Sequence, residues 1–220
     1  MSDDRLGALR LVFVTPGRMP PDQTLSLIRQ VLEGGVTAVL LREAQLPEKQ
    51  LAQLAEKTVE SCEATGAVTI VNRDLDLARD CGADGVHLGW DSPPVREVRC
   101  NLPGKLVGRS AHWPIEEDDR LADYMTLSPF RATWQSRPRP LLESDQIRSV
   151  LGQSGLGPVI ALGGLTAGDV SDLPAGLSGV AVVRALAEAP DPRGAAAVFR
   201  SVLDAYLDFG NGAEATHGIR

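Results

Sequence analysis

The sequence predicts an α/β fold, a single-domain (β/α)8 TIM barrel, and three observations carry that expectation. Short unbroken apolar runs such as Val159-Ile160-Ala161-Leu162 and Gly179-Val180-Ala181-Val182-Val183 recur along the chain. Runs of this kind are strands buried on both faces of a parallel sheet. They alternate with helical stretches over the whole length, the pattern of successive βαβ units. The core must also be aliphatic, because hydrophobic residues make up 43% of the 220 residues and aromatics only 4%. Barrel interiors are filled by such branched aliphatic side chains. Eight units imply closure, with an open doubly wound sheet as the alternative.

Each element follows from the local pattern. Leu11–Thr15 reads as the first strand and Asp22–Gly34 as its helix. Thr37–Leu41 is the second strand, followed by a long helix from Pro47 to Thr65. Val68–Val71 is the third, with a short helix from Leu75. Gly85–Leu88, Leu106–Gly108 and Tyr124–Leu127 are strands four to six. Val159–Leu162 and Val180–Val183 are the last two. An amphipathic helix from Pro192 to Asp208, with Val198, Val202 and Leu203 on its apolar face, closes the domain. Residues 1–209 are therefore expected to form the barrel. Residues 210–220 are Gly-, Ala- and Asn-rich without apolar periodicity, and are expected to be a disordered tail.

Composition excludes several classes of function. A net charge of −7 argues against a nucleic-acid or anionic-membrane binder. No apolar stretch approaches the roughly 20 residues that span a bilayer. Residues 2–10 carry four charges before any apolar run, so no signal peptide is visible. Cys62, Cys81 and Cys100 are odd in number and lack ligand spacing. They are expected to be free thiols in a reducing cytoplasm. The oligomeric state is not fixed by the sequence, and a homodimer is one expectation.

Function should sit at the C-terminal ends of the strands. Arg42 ends strand two and Asn72 strand three. Ser110 and His112 follow strand five, Ser128 strand six, Gly163-Gly164 strand seven and Arg184 strand eight. Without side chains, Gly163 and Gly164 let backbone N–H groups approach an anion, and barrels often hold a phosphate after strands seven and eight. A small phosphorylated ligand is implied. Lys49, Lys57 and Lys105 are the only lysines, and none falls at the mouth, which disfavours a Schiff-base aldolase. No Gly-x-Ser-x-Gly elbow is present, which disfavours a Ser-His-Asp hydrolase. His112 is the foremost proton-transfer candidate, since imidazole titrates near neutrality; a surface-loop histidine is the plain alternative. His87, inside an apolar strand, reads as a hydrogen-bonded core residue. The segment from Ser128 to Pro140, with Arg131, Arg137 and Arg139, is either a solvated Pro-stiffened loop or a basic lid.

The chain resembles the thiamine phosphate synthase and thiazole tautomerase family of barrels, from about Leu11 to Leu186. The likeness is carried by Leu40-Leu41-Arg42-Glu43, Ile70-Val71-Asn72, Ala83-Asp84-Gly85-Val86-His87-Leu88-Gly89 and Gly108-Arg109-Ser110-Ala111-His112. It continues through Ala122-Asp123-Tyr124, Ser128-Pro129-Phe130, Ala161-Leu162-Gly163-Gly164-Leu165 and Gly179-Val180-Ala181-Val182-Val183. The synthase of that family joins a hydroxymethylpyrimidine diphosphate to a thiazole phosphate and releases pyrophosphate. The resemblance implies that Arg42 and Asn72 face the diphosphate and that Ser110 lies beside the pyrimidine. It places the thiazole phosphate against Gly163, Gly164 and backbone amides near Val183 and Arg184. Thr133 joins this substrate-binding set.

Four departures from the family pattern bear on the chemistry. Ala44 stands where the synthase has a lysine, and Arg73 where it has a magnesium-binding aspartate. Ser92 stands at the second metal aspartate, unless Asp91 takes that role. Residues around Gln135-Ser136-Arg137 replace a Thr-Lys pair. The tautomerase branch needs no metal and uses a histidine after strand five, the position of His112. The first expectation is accordingly a metal-independent proton transfer by His112, with Arg42 and Ser110 as further catalytic candidates and no cofactor. A divergent synthase is the alternative, with magnesium only in that case. A non-catalytic binder of a pathway metabolite is the third.

Overall fold

The computed structural model describes residues 4–132 and 140–214, with side chains to Asp208. Eight parallel strands close a barrel in chain order, and β8 pairs back onto β1. They are β1 Leu11–Val14, β2 Ala38–Leu41, β3 Val68–Asn72, β4 Gly85–Leu88, β5 Leu106–Ala111, β6 Tyr124–Leu127, β7 Val159–Leu162 and β8 Gly179–Val182. The helices are α1 Asp4–Gly7, α2 Pro21–Glu33, α3 Glu48–Glu63, α4 Leu75–Asp80, α5 Val95–Asn101, α6 Ser144–Leu151, α7 Arg184–Ala187 and α8 Pro192–Glu214. Short 3-10 helices at Asp118–Leu121 and Ala167–Asp172 take the place of α-helices between β5 and β6 and between β7 and β8. The closed sheet excludes the open doubly wound alternative.

Three corrections arise. β5 runs to Ala111, beyond the expected end at Gly108. Arg109 and Ser110 interrupt the apolar run, but the fold satisfies both, Arg109 through Asp119 and Ser110 through His87. On α8 the buried stripe is Ala196, Phe199 and Leu203, while Val198 is 55% exposed. Spacings of three and four from Phe199 reach Ala196 and Leu203, and Val198 falls outside that stripe. The helix also runs to Glu214, past the expected end at Asp208.

The lower rim repeats one device. Thr37, Asp84 and Asp123 each precede a strand, and each accepts a backbone N–H from the strand before it. The donors are Leu11, Thr69 and Val107, at 2.9, 2.8 and 2.7 Å. Strand N-termini at a barrel rim would otherwise leave donors unpaired.

Val12, Ala38, Leu40, Val68, Ile70, Leu106, Ile160 and Ala181 fill the barrel interior. Above them on β4 to β6 lies a polar layer. His87 Nδ1 is 3.0 Å from Tyr124 Oη, and His87 Nε2 is 3.2 Å from Ser110 Oγ and 3.3 Å from Thr126 Oγ1. The Tyr124 ring crosses β5 at Gly108, where a Cβ would overlap it. His87 is thus the bonded core residue that its apolar strand suggests. Burial, aided by the nearby Arg109 and Arg73 charges, pushes its pKa down to about 3.

Candidate active site

Strand side chains alternate, so residues two past the last interior position emerge at the mouth. There a cleft of about 1140 Å³ opens, lined by residues at the ends of β1, β2, β4, β5, β6, β7 and β8. Gly163, Gly164, Val183 and Arg184 line one part of it. Arg18, Arg42 and Trp90 line another, and His112, Ser128 and Arg131 also contribute.

The glycine pair is required by geometry. Gly163 and Gly164 have φ of 112° and 65°, a region that L side chains resist. A Cβ on Gly164 would also stand 3.0 Å from the Ala132 carbonyl. The segment after β6 is laced to this turn: Phe130 N–H donates to the Leu162 carbonyl at 3.2 Å, and Arg131 N–H to the Gly163 carbonyl at 2.9 Å. The Arg131 side chain is paired with Asp169 at 2.8 Å. Thr133, Arg137 and Arg139 lie outside the described residues.

Arg42 is fixed by its neighbours. Its backbone N–H donates to Thr15 Oγ1 at 2.8 Å, while the buried Glu43 carboxylate accepts Gly17 N–H at 3.0 Å. Burial lowers the Arg42 pKa; Glu43 opposes this, and the positive charges of Arg18 and Arg73 add to it. Several guanidinium groups therefore share this side of the mouth, which favours an anionic ligand.

His112 lines the cleft, and its Nδ1 lies 3.2 Å from the Ser128 carbonyl oxygen. A carbonyl can only accept, so Nδ1 is the donor and the neutral ring carries its lone pair on Nε2. Trp113 is outside the lining and 40% exposed. Asn72 and Ser110 do not line the cleft. Asn72 ends β3 at the rim, and Ser110 lies in the polar layer with His87. The sequence reading missed Trp90, which is 57% exposed at the cleft. An aromatic just past a strand end, in a chain with so few, is a signal that could have marked it. Arg18, after β1, was missed because nothing local distinguishes it from a solvated arginine.

The positions that the resemblance assigns to magnesium do not suit that ion. The Arg73 guanidinium holds both Asp91 oxygens, Nη1 to Oδ2 at 3.0 Å and Nη2 to Oδ1 at 2.7 Å. Ser92 Oγ accepts the Gly89 N–H at 2.9 Å. Among the described residues, no group of three or more His, Cys, Asp or Glu side chains is gathered to hold a metal. A hard divalent cation requires several oxygen ligands, and a guanidinium sits where one carboxylate would be.

Comparison with known proteins identifies the family. The thiamine monophosphate synthase family model matches residues 11–186. The thiamine-phosphate synthase of Albidiferax ferrireducens is 35% identical over 217 residues, covering 92% of this chain and 95% of that protein. That of Geobacillus kaustophilus is 32% identical, covering 90% and 93%. A thiamine phosphate pyrophosphorylase from Pyrococcus furiosus superimposes with a TM-score of 0.81 at 25% identity, covering 93% of this chain and all of that one. These relatives favour a transferase over the isomerase to which the altered metal positions had pointed. The chain belongs to the thiamine monophosphate synthase family.

Proposed function

We propose that the protein is a transferase of the thiamine-phosphate synthase type. It would join hydroxymethylpyrimidine diphosphate to thiazole phosphate and release pyrophosphate. The observation that carries this reading is a single cleft of about 1140 Å³ with glycines and Arg184 along one part and Arg18 and Arg42 along another. Pockets for one small molecule are typically about 300–1,000 Å³, so two ligands can share this one. The near full-length likeness to proteins named as synthases supports the same reading.

In the reaction, the thiazole ring nitrogen forms a C–N bond to the pyrimidine methylene carbon. The C–O bond to the diphosphate breaks, and its electron pair leaves with pyrophosphate. Gly163, Gly164 and the Val183–Arg184 backbone would hold the thiazole phosphate. Arg42 would face the diphosphate, with Asn72 beside it at the rim. Ser110 acts from below the cleft, through the polar layer with His87. Holding both reactants in line is itself a large part of such catalysis.

A metal-independent tautomerase is the second reading. It is favoured by His112, whose ring lines the same cleft with Nδ1 tied to Ser128. Incubating the protein with both synthase substrates and assaying pyrophosphate tests the first reading. Incubating it with carboxythiazole phosphate alone, and following isomerisation, tests the second.

A further inference from the structure

We infer that the Arg73 guanidinium, clamped by Asp91, takes the place of a divalent cation and binds the diphosphate group without metal. This rests on the transferase reading, because the anion it would receive is the leaving group of that reaction.

The first support is backbone geometry. Arg73 is the only non-glycine among the described residues with a positive φ, 68°. A left-handed conformation is costly for a residue with a side chain, and persists only where the surroundings enforce it. Here the Arg73 N–H continues the sheet, donating to the His87 carbonyl at 2.9 Å. The turn sends the side chain across to the loop after β4. The guanidinium lies against Gly89, where a Cβ would overlap it.

The second support is the clamp itself. Asp91 engages the guanidinium at two points, 2.7 and 3.0 Å. The fork uses two of five N–H donors. About half of each side chain is exposed, 46% for Arg73 and 43% for Asp91, so the group is fixed yet accessible. The loop that carries Asp91 is fixed in turn. The buried Arg109 donates through Nη1 to the Gly89 carbonyl at 2.8 Å and through Nε to Asp119 at 2.8 Å. Arg109 is thereby a positioning residue for the clamp.

The third support is charge. Two aspartates and one divalent cation sum to zero. One aspartate and one guanidinium also sum to zero. Replacing one carboxylate and the metal together by an arginine therefore conserves the charge at the rim. Arginine suits the exchange because its planar donors match phosphate oxygens two at a time. Arg73 and Asp91 do not themselves line the cleft; Arg73 lies beside it, near enough for its charge to help lower the Arg42 pKa, and the lining Arg42 and Arg18 supply further positive charge.

The test is calorimetric titration of inorganic pyrophosphate in excess EDTA, paired with pyrophosphate release from the two synthase substrates. The wild type should bind and turn over without metal. Arg73→Gly, in which glycine accepts the left-handed backbone, should bind at least tenfold more weakly in EDTA while melting no earlier than wild type. Arg73→Asp should recover binding only when magnesium is added. Wild-type binding or turnover that requires magnesium, or Arg73→Gly with undiminished affinity, overturns the inference and leaves the transferase reading intact. Metal-free, Arg73-dependent pyrophosphate binding with no condensation product sinks the transferase reading and keeps the anion site.

Discussion

His87 Nδ1 stands 3.0 Å from Tyr124 Oη at the centre of the barrel, and both residues are almost wholly buried. The burial of His87 makes the fold sensitive to acid. In the unfolded chain His87 titrates near 6.5, while burial holds it neutral in the fold down to about pH 3. Between these values the unfolded state binds the extra proton, so stability is full above pH 6.5 and falls as the pH drops toward 3. Linkage sets that loss on the order of 4 kcal/mol at the acid end. Denaturant unfolding at pH 7, 5 and 4 should show the decline, and His87→Gln should flatten it. Equal slopes in the two proteins would assign the acid sensitivity elsewhere.

Arg109 and Asp119 form the most buried ion pair among the described residues, with side chains 10% and 6% exposed. Asp119 also accepts the Glu116 N–H at 3.1 Å. Asp119→Ala leaves a buried guanidinium without its carboxylate, and such losses cost about 3–5 kcal/mol. Chemical denaturation should show a destabilisation of that order. An effect below about 1 kcal/mol, the level of an exposed pair, would mean that water reaches the site freely.

Gly163 and Gly164 should respond to the smallest substitution. With φ at 112° and 65°, alanine at either position should cost about 1–2 kcal/mol in strain. Gly164→Ala should in addition push on the Ala132 carbonyl and weaken thiazole phosphate affinity. Gly164→Asp adds a carboxylate and should abolish it. Calorimetry with thiazole phosphate measures both variants, and unchanged affinity in Gly164→Asp would remove the phosphate from this turn.

His112→Asn separates the two enzymatic readings. Proton transfer by a positioned imidazole is worth roughly 10²- to 10⁴-fold. A tautomerase should lose about that factor with little change in ligand affinity. The condensation moves no proton in its bond-forming step, so pyrophosphate release should stay within a few-fold of wild type. A large fall in pyrophosphate release would give His112 a direct part in the transfer.

The barrel was legible because both faces of a parallel strand are covered, leaving runs such as Val159–Leu162 unbroken in the sequence. Tyr124–Leu127 and Gly85–Leu88 were found with the right ends for the same reason. The short helices Val95–Asn101 and Ser144–Leu151 were not, because each spans about two turns and two turns carry little periodicity. At the site, Arg42, Gly163, Gly164, His112 and Arg184 were legible as strand-end residues, and all five line the cleft. Strand-end position overreached for Ser110, because a six-residue β5 keeps it inside the barrel. The Arg73–Asp91 clamp was not legible. The two residues are 18 positions apart in sequence, and only the pairing of β3 with β4 brings their loops together.

The most direct measurement is a coupled pyrophosphate assay with hydroxymethylpyrimidine diphosphate and thiazole phosphate, run with magnesium and with EDTA. The expected result is pyrophosphate and thiamine phosphate in equal amounts, formed only when both substrates are present. Neither product under either condition, from protein that still binds thiazole phosphate, would contradict the transferase reading.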